Sequence, residues 1–209
     1  MRIAWFSPVP PDRSGIAAYT QELLPLLQSS SRSIDLFVDL DAHVEHLGHA
    51  APTKYQALPS NLPCPAYSAQ EFVWRHRRRP YDLTVYQMGN ARCHDYMWAY
   101  LFRYPGLLVL HDLQVHQARA MWLLSRLEPR LHDYIAELAA NHPGVRPEVG
   151  HLIAAGFGGS LFRLWPMTRL AIQTSRLTVV HNARMAARLE TEHHEAVIRT
   201  VEMGVADPM

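Results

Sequence analysis

Short apolar runs bounded by turn residues recur along the 209-residue chain, and stretches with apolar positions at helical spacing lie between them. Residues 2–6 form a compact apolar run that ends at Ser7-Pro8 and the proline-rich residues 8–12, the pattern of a buried strand entering a loop. Residues 16–27 place Tyr19, Leu23, Leu26 and Leu27 on one helical face, and Pro25 is expected to kink or shorten that helix. Residues 33–40 (SIDLFVDL) alternate as a second strand does. Ser68 and Glu71 have the spacing of a capping box, which predicts a helix over 68–79. Residues 83–87 and 107–110 read as strands, with the stripe His94, Met97, Trp98, Leu101 and Phe102 between them as a helix. Residues 113–175 look mostly helical, with breaks at 141–144 and 156–159; a strand at 177–180, a helix at 183–189 and a last strand at 198–203 follow. Alternating strands and helices with nearly continuous apolar strands predict an α/β fold: a doubly wound, mainly parallel, Rossmann-like sheet covered on both faces.

In such a sheet ligands bind beyond the carboxyl ends of the strands, where loops meet helix N-termini. The search for chemistry therefore narrows to residues 8–15, 88–94, 111–116, His181-Asn182 and Gly204. Ser14-Gly15 opens a helix, where a residue without a side chain lets backbone amides approach a phosphate. Neither GxGxxG nor GxxxxGK[ST] is present, and a glycine in a plain turn explains the same residues. His111-Asp112 ends the strand 107–110, and Asp112 either orients an imidazole or caps the next helix. His116 lies four residues beyond Asp112; Asn90 suits a helix cap as well as a sugar hydroxyl, and His94 follows it closely.

Composition narrows the function classes further. Twenty Lys+Arg against 19 Asp+Glu leave a net charge of +1, so no global field draws the chain to nucleic acid or anionic lipid. The two cysteines, Cys64 and Cys93, have no CxxC spacing, which argues against a disulfide framework and fits a reducing cytoplasm. No apolar run reaches the roughly 18 residues of a membrane span, and the start, MRIAWFSPV, is a strand rather than a secretory segment. The basic cluster RHRRR at 75–79 is a solvated helix end or a peripheral contact with anionic lipid or a phosphosugar. His43, His46 and His49 lie three apart beside Asp39 and Asp41; without an HExxH pattern the segment reads as a solvated loop, and no metal is expected. No GxSxG elbow, activated cysteine or paired carboxylates are evident.

In order along the chain, RIAWFSPVPPDRSGIAAYTQELLPLL, YDLTVYQMGNARCHDYMWAYLFRYPGLLVLHD, LTVVHNARMAARL and VEMGV resemble the N-terminal half of retaining GT-B glycosyltransferases, family 4 most closely. The resemblance runs from Arg2 to about Val205 and is weakest across residues 41–66 and 116–159. It implies an acceptor-side Rossmann-like domain over 1–205 with a helical excursion around 113–175, facing a C-terminal domain that holds most of the nucleotide-sugar donor, such as a UDP- or GDP-sugar. It implies further that Ser14 and Gly15 face the donor phosphates and that His111, followed by Asp112, contacts the transferred sugar. Tyr19, Asn90, His94, His116 and Asn182 would border a glycan or lipid-linked acceptor. Retention implies front-face attack in which the leaving phosphate takes the acceptor proton, so no strong protein base is required. The family's second domain carries a basic pair and a Glu-x7-Glu element that these 209 residues lack, so the chain alone is expected to be inactive. The alternative is a non-catalytic glycan- or partner-binding module.

Overall fold

The computed structural model describes residues 1–40, 62–125 and 128–204. Their strands are β1 (Arg2–Phe6), β2 (Ser33–Val38), β3 (Ala66–Ser68), β4 (Leu83–Met88), β5 (Leu107–Leu110), β6 (Leu177–Val180) and β7 (Ile198–Thr200). They form one seven-stranded sheet in the order β3-β2-β1-β4-β5-β6-β7, and every pairing is parallel. This is the doubly wound α/β architecture that the apolar pattern predicts. The chain order reverses between β1 and β4, the switch point at which such sheets open a crevice.

Period-two alternation sorts the strand residues to two faces. Ala4, Phe6, Tyr86, Met88, Leu108, Leu110 and Val180 pack into one core, against α3 (Met97–Arg103) and α9 (Ala183–Glu192). Ile3, Trp5, Val85, Val109 and Val179 pack into the other, beneath Leu24 of α1 (Gly15–Leu27). A sheet buried on both faces leaves its strand ends as the first positions where polar side chains reach solvent.

Several elements depart from the expected boundaries. α1 continues through Pro25 to Leu27, because a proline in the last turn forfeits only one helical hydrogen bond. The capping box forms only in part: Ser68 Oγ accepts from Gln70 N, while Glu71 instead pairs with Arg75. The result is a short 3₁₀ turn, Ala69–Glu71, before α2 (Phe72–Arg78). The edge strand β3 was not predicted; three residues after Pro63 and Pro65 are too few to show alternation.

Between β5 and β6 the chain runs through α4 (His116–Leu124), α5 (Leu131–Asn141), α6 (Pro147–Leu152), α7 (Leu161–Leu164) and α8 (Arg169–Thr174). Gly144 and Gly156 adopt φ of 96°, at the two breaks predicted from the sequence. The excursion is fastened to itself by Arg119, which grips Glu137 with two bonds of 2.7 Å while lying over Trp98 at 4.7 Å. Both side chains are largely out of solvent, at 7% and 15% exposure. Removing one member of a buried pair strands the other charge. Glu137→Ala is therefore expected to lower unfolding stability by about 3 kcal/mol in urea titrations; a loss well under 1 kcal/mol would show that water reaches Arg119.

Candidate functional site

The site follows from continuing the strand alternation to the end of β4 and one position past the ends of β5 and β6. Gln87, His111 and His181 stand two residues beyond Val85, Val109 and Val179, on the face that α1 covers. The register pairs Gln87 with Val109 and Val109 with Val179, so His111 and His181 are neighbours across the sheet edge. His111 Nε2 lies 2.6 Å from Gln87 Oε1, His111 Nδ1 lies 3.1 Å from His181 Nε2, and His181 Nδ1 lies 3.1 Å from the Val201 carbonyl. Tyr19 of α1 presents its ring edge-on to both imidazoles, with centroids at 5.5 and 5.7 Å.

Val201 O and Gln87 Oε1 can only accept, so the row ends on an acceptor at each side. Burial, reinforced by His181 and His94, holds His111 down to about 3, so it carries no extra proton near neutrality. With Gln87 Oε1 accepting, the single ring proton of neutral His111 sits on Nε2, and its Nδ1 accepts from His181 Nε2. Both ring nitrogens of His111 are thereby engaged, and a ligand hydroxyl meets the ring edge or displaces one of these bonds.

A second group meets around Gly89. His94, fully buried, shares a hydrogen bond of 2.9 Å between Nδ1 and the Gln87 carbonyl. Burial lowers its pKa to about 4, although that carbonyl and Asp112 pull it upward. Asp112 Oδ2 accepts from Asn90 N at 3.0 Å, and Asn90 Oδ1 accepts from Ala118 N at 3.0 Å. Asn90 thus caps α4 from a distance, and Asp112 positions the loop after β4. A Cβ on Gly89 would lie 2.5 Å from Ile16 Cδ1, 3.0 Å from His94 Nε2 and 3.3 Å from Asp112 Oδ2. A side chain at position 89 would crowd Ile16, His94 and Asp112, the Ile16 methyl having to move first.

Gly15 is the opposite case. Its Cβ would meet nothing within 4 Å and its φ is ordinary, so no internal contact requires a glycine there. It heads α1 at an exposed position, and Ser14 caps the helix by accepting from Ala17 N at 3.0 Å. Asn182 caps α9, its Oδ1 accepting from Met185 N at 2.9 Å. His116 lies away from the imidazole row, fully buried between Tyr134, whose hydroxyl is 2.6 Å from Nε2, and the edge of Phe162. The structure therefore gathers Tyr19 and His111 in one row, and Asn90, His94 and Asp112 in an adjoining loop cluster. Ser14, Asn182 and His116 have structural duties as cap, cap and core histidine.

Gln87 lay outside the positions searched and His181 lay within them without a role, although the signal was present: each continues the α1-facing alternation of its strand. Burial raises both thiols to about 11, so neither Cys64 nor Cys93 is a ready nucleophile. His43, His46 and His49 lie outside the described residues, and among the described residues no group of three or more His, Cys, Asp or Glu is placed to hold a metal ion. Arg75 is paired with Glu71 and stacked on Tyr67, and Arg78 lies over Trp74. No helix among the described residues is long and apolar enough to cross a membrane.

No family model matches the chain, and no curated protein and no solved structure matches it.

Two expectations follow. Gly89→Ala should cost about 1–3 kcal/mol through overpacking, with a smaller cost in an Ile16→Ala background; equal costs in both backgrounds would place the strain elsewhere. His94 and His116 have folded-state values of about 4, below the ordinary 6.5. The unfolded chain then binds protons that the folded chain does not. Their effect is absent above about pH 6.5, and stability falls as pH drops towards 4, by up to about 1.4 kcal/mol per pH unit for each histidine. Denaturant midpoints at pH 7 and pH 5 should show a smaller drop in His116→Gln than in the parent; the same drop in both would show that His116 titrates normally.

Proposed function

We propose that this chain is the acceptor-side lobe of a retaining glycosyltransferase that uses a nucleotide-sugar donor. The observation that carries the reading is the meeting of Tyr19 and His111 across the crevice edge, beside a helix whose first residue is a glycine that no internal contact requires. That placement joins the ordered resemblance to the crevice where doubly wound sheets bind ligands.

In this reading the first-turn amides at Gly15 face the donor phosphates, helped by the partial positive charge of the thirteen-residue α1. His111 works as a neutral imidazole, since a group held at about 3 cannot be a general acid near neutrality. It faces the transferred sugar, and His181 and Gln87 set its tautomer and ring plane. The acceptor proton passes to the leaving phosphate. Asp112 acts through the loop it holds rather than on the sugar.

A second reading is a glycan-binding module without catalysis. It is favoured by the engagement of both His111 nitrogens and by the capping duties of Asn90 and Asn182.

The two separate in a transfer assay with a family 4 donor-binding domain supplied in trans or by fusion, using UDP- and GDP-sugars. The first reading expects transfer that falls roughly 10²–10³-fold in His111→Ala, the scale of losing one aligned group at a developing charge. Undiminished transfer in that variant would remove His111 from the chemistry. Saturable glycan binding that moves the Tyr19 and His111 resonances without any transfer would establish the module instead.

A further inference from the structure

A cavity of about 660 Å³ lies away from the strand-end site, between the α5–α6 turn, the α7–α8 turn and the C-terminal half of α9. Its volume is within the usual range for small-molecule sites. An adjoining hollow shares Arg169, Glu192 and His193 with it and reaches Arg176 and Val197, the residues just before β6 and β7. None of the imidazole-row or Gly89-cluster residues lines either space.

Arg146, Arg169 and Arg188 line the cavity against a single acid, Glu192. Glu192 is already held by Arg188, whose Nε lies 2.9 Å from Oε1. Arg146 and Arg169 make no ion pair or side-chain hydrogen bond among the described residues, so the space retains two unneutralised guanidinium charges. Two imidazoles complete the polar wall. His142 Nε2 accepts from Met167 N at 3.1 Å, which leaves its proton on Nδ1. His193 keeps Nε2 out of solvent with no hydrogen-bond partner. Burial, the largest cause, lowers both imidazoles from the ordinary value; Glu192 pulls them up and Arg169 pushes them down. The positive charge of the space therefore belongs to the arginines.

The frame is built before any ligand arrives. Asn141 Oδ1 accepts from Leu170 N at 3.0 Å, tying the end of α5 to α8. Val115 N donates to Pro166 O, and Met167 is held at a φ of 57°, a left-handed conformation that disfavours a non-glycine residue. The lining also includes the apolar side chains Trp165, Leu164 and Val149.

We infer that this cavity is a binding site for a small phosphate monoester with an apolar body, the dianion meeting Arg146 and Arg169 and the body lying against Trp165. Guanidinium groups match phosphate oxygens in planar geometry, and two free ones match a charge near −2. The site is independent of the strand-end reading.

The test is calorimetric titration of the intact protein with phenyl phosphate, inorganic phosphate and benzoate at fixed ionic strength, alongside Arg146→Gln and Arg169→Gln. Saturable binding of phenyl phosphate is expected, weaker for inorganic phosphate and for benzoate, and lowered about tenfold or more in each variant. Binding should also move the His142 and His193 ring resonances. Arg146 is exposed and unpaired, so its variant keeps the test informative even if Arg169→Gln perturbs folding. No saturation with phenyl phosphate by about 10 mM, undiminished affinity in Arg146→Gln, or equal affinity for benzoate would each overturn the assignment.

Discussion

The convergence at the carboxyl edge of the sheet turns on close packing around Gly89. With a side chain at position 89, the first contact would be Ile16 Cδ1 at 2.5 Å, then His94 Nε2 and Asp112 Oδ2. These three belong to α1, to the turn after β4 and to the turn after β5. Close approach of three loops to one backbone position is what lets β4 and β5 end beside the opening of α1. Asp112 then reaches Asn90 N, Asn90 reaches Ala118 N, and the start of the helical excursion is positioned by the same turn. The meeting of these segments is thus a packing consequence at a backbone position with little room for a side chain.

Burial on both faces of the sheet sets the chemistry at that edge. Gln87, His111 and His181 share the α1-facing side with valines, so the imidazoles stand where the hydrophobic layer ends. Desolvation there opposes charge, and a second imidazole alongside opposes it further, which is why His111 is held at about 3. His111 is consequently a neutral, hydrogen-bonded dipole at that edge. Its contribution to any reaction is orientation and polarity rather than proton donation.

Much of the fold was legible from periodicity alone because each strand is a compact apolar run ended by a turn residue. β1, β5 and β6 have the boundaries expected, while β2 and β7 end two and three residues early, where alternation continues in sequence after pairing has stopped. β3 was hidden because an edge strand of three residues has no period to read. The site was legible in its location and only partly in its members. His111, Asp112 and Asn90 stand out as polar residues immediately after apolar strands. His116 does not differ from them in sequence, yet one helical turn into the excursion it faces Tyr134 in the core. Gln87 was masked by its place inside a strand, where a buried polar residue looks like an interruption of the apolar run. Which cap and which ligand role a residue takes is decided by neighbours far away in the chain, such as Ala118 for Asn90.

Capping and ligand binding draw on the same positions, and their competition shapes what the edge presents. In a parallel sheet the carboxyl end of a strand leads into the amino end of a helix, so a polar residue there lies close to unpaired amides. Ser14, Asn90 and Asn182 each give an oxygen to such an amide. What remains to the two asparagines is the amide NH2, which only donates, and the helix starts add backbone N–H groups. Asp112, the exposed acceptor at this edge, gives Oδ2 to Asn90 N. The caps and helix starts therefore offer mainly donors, with a neutral His111 beside them. A ligand suited to those donors is rich in acceptor oxygens, as a phosphate or a polyhydroxylated ring is.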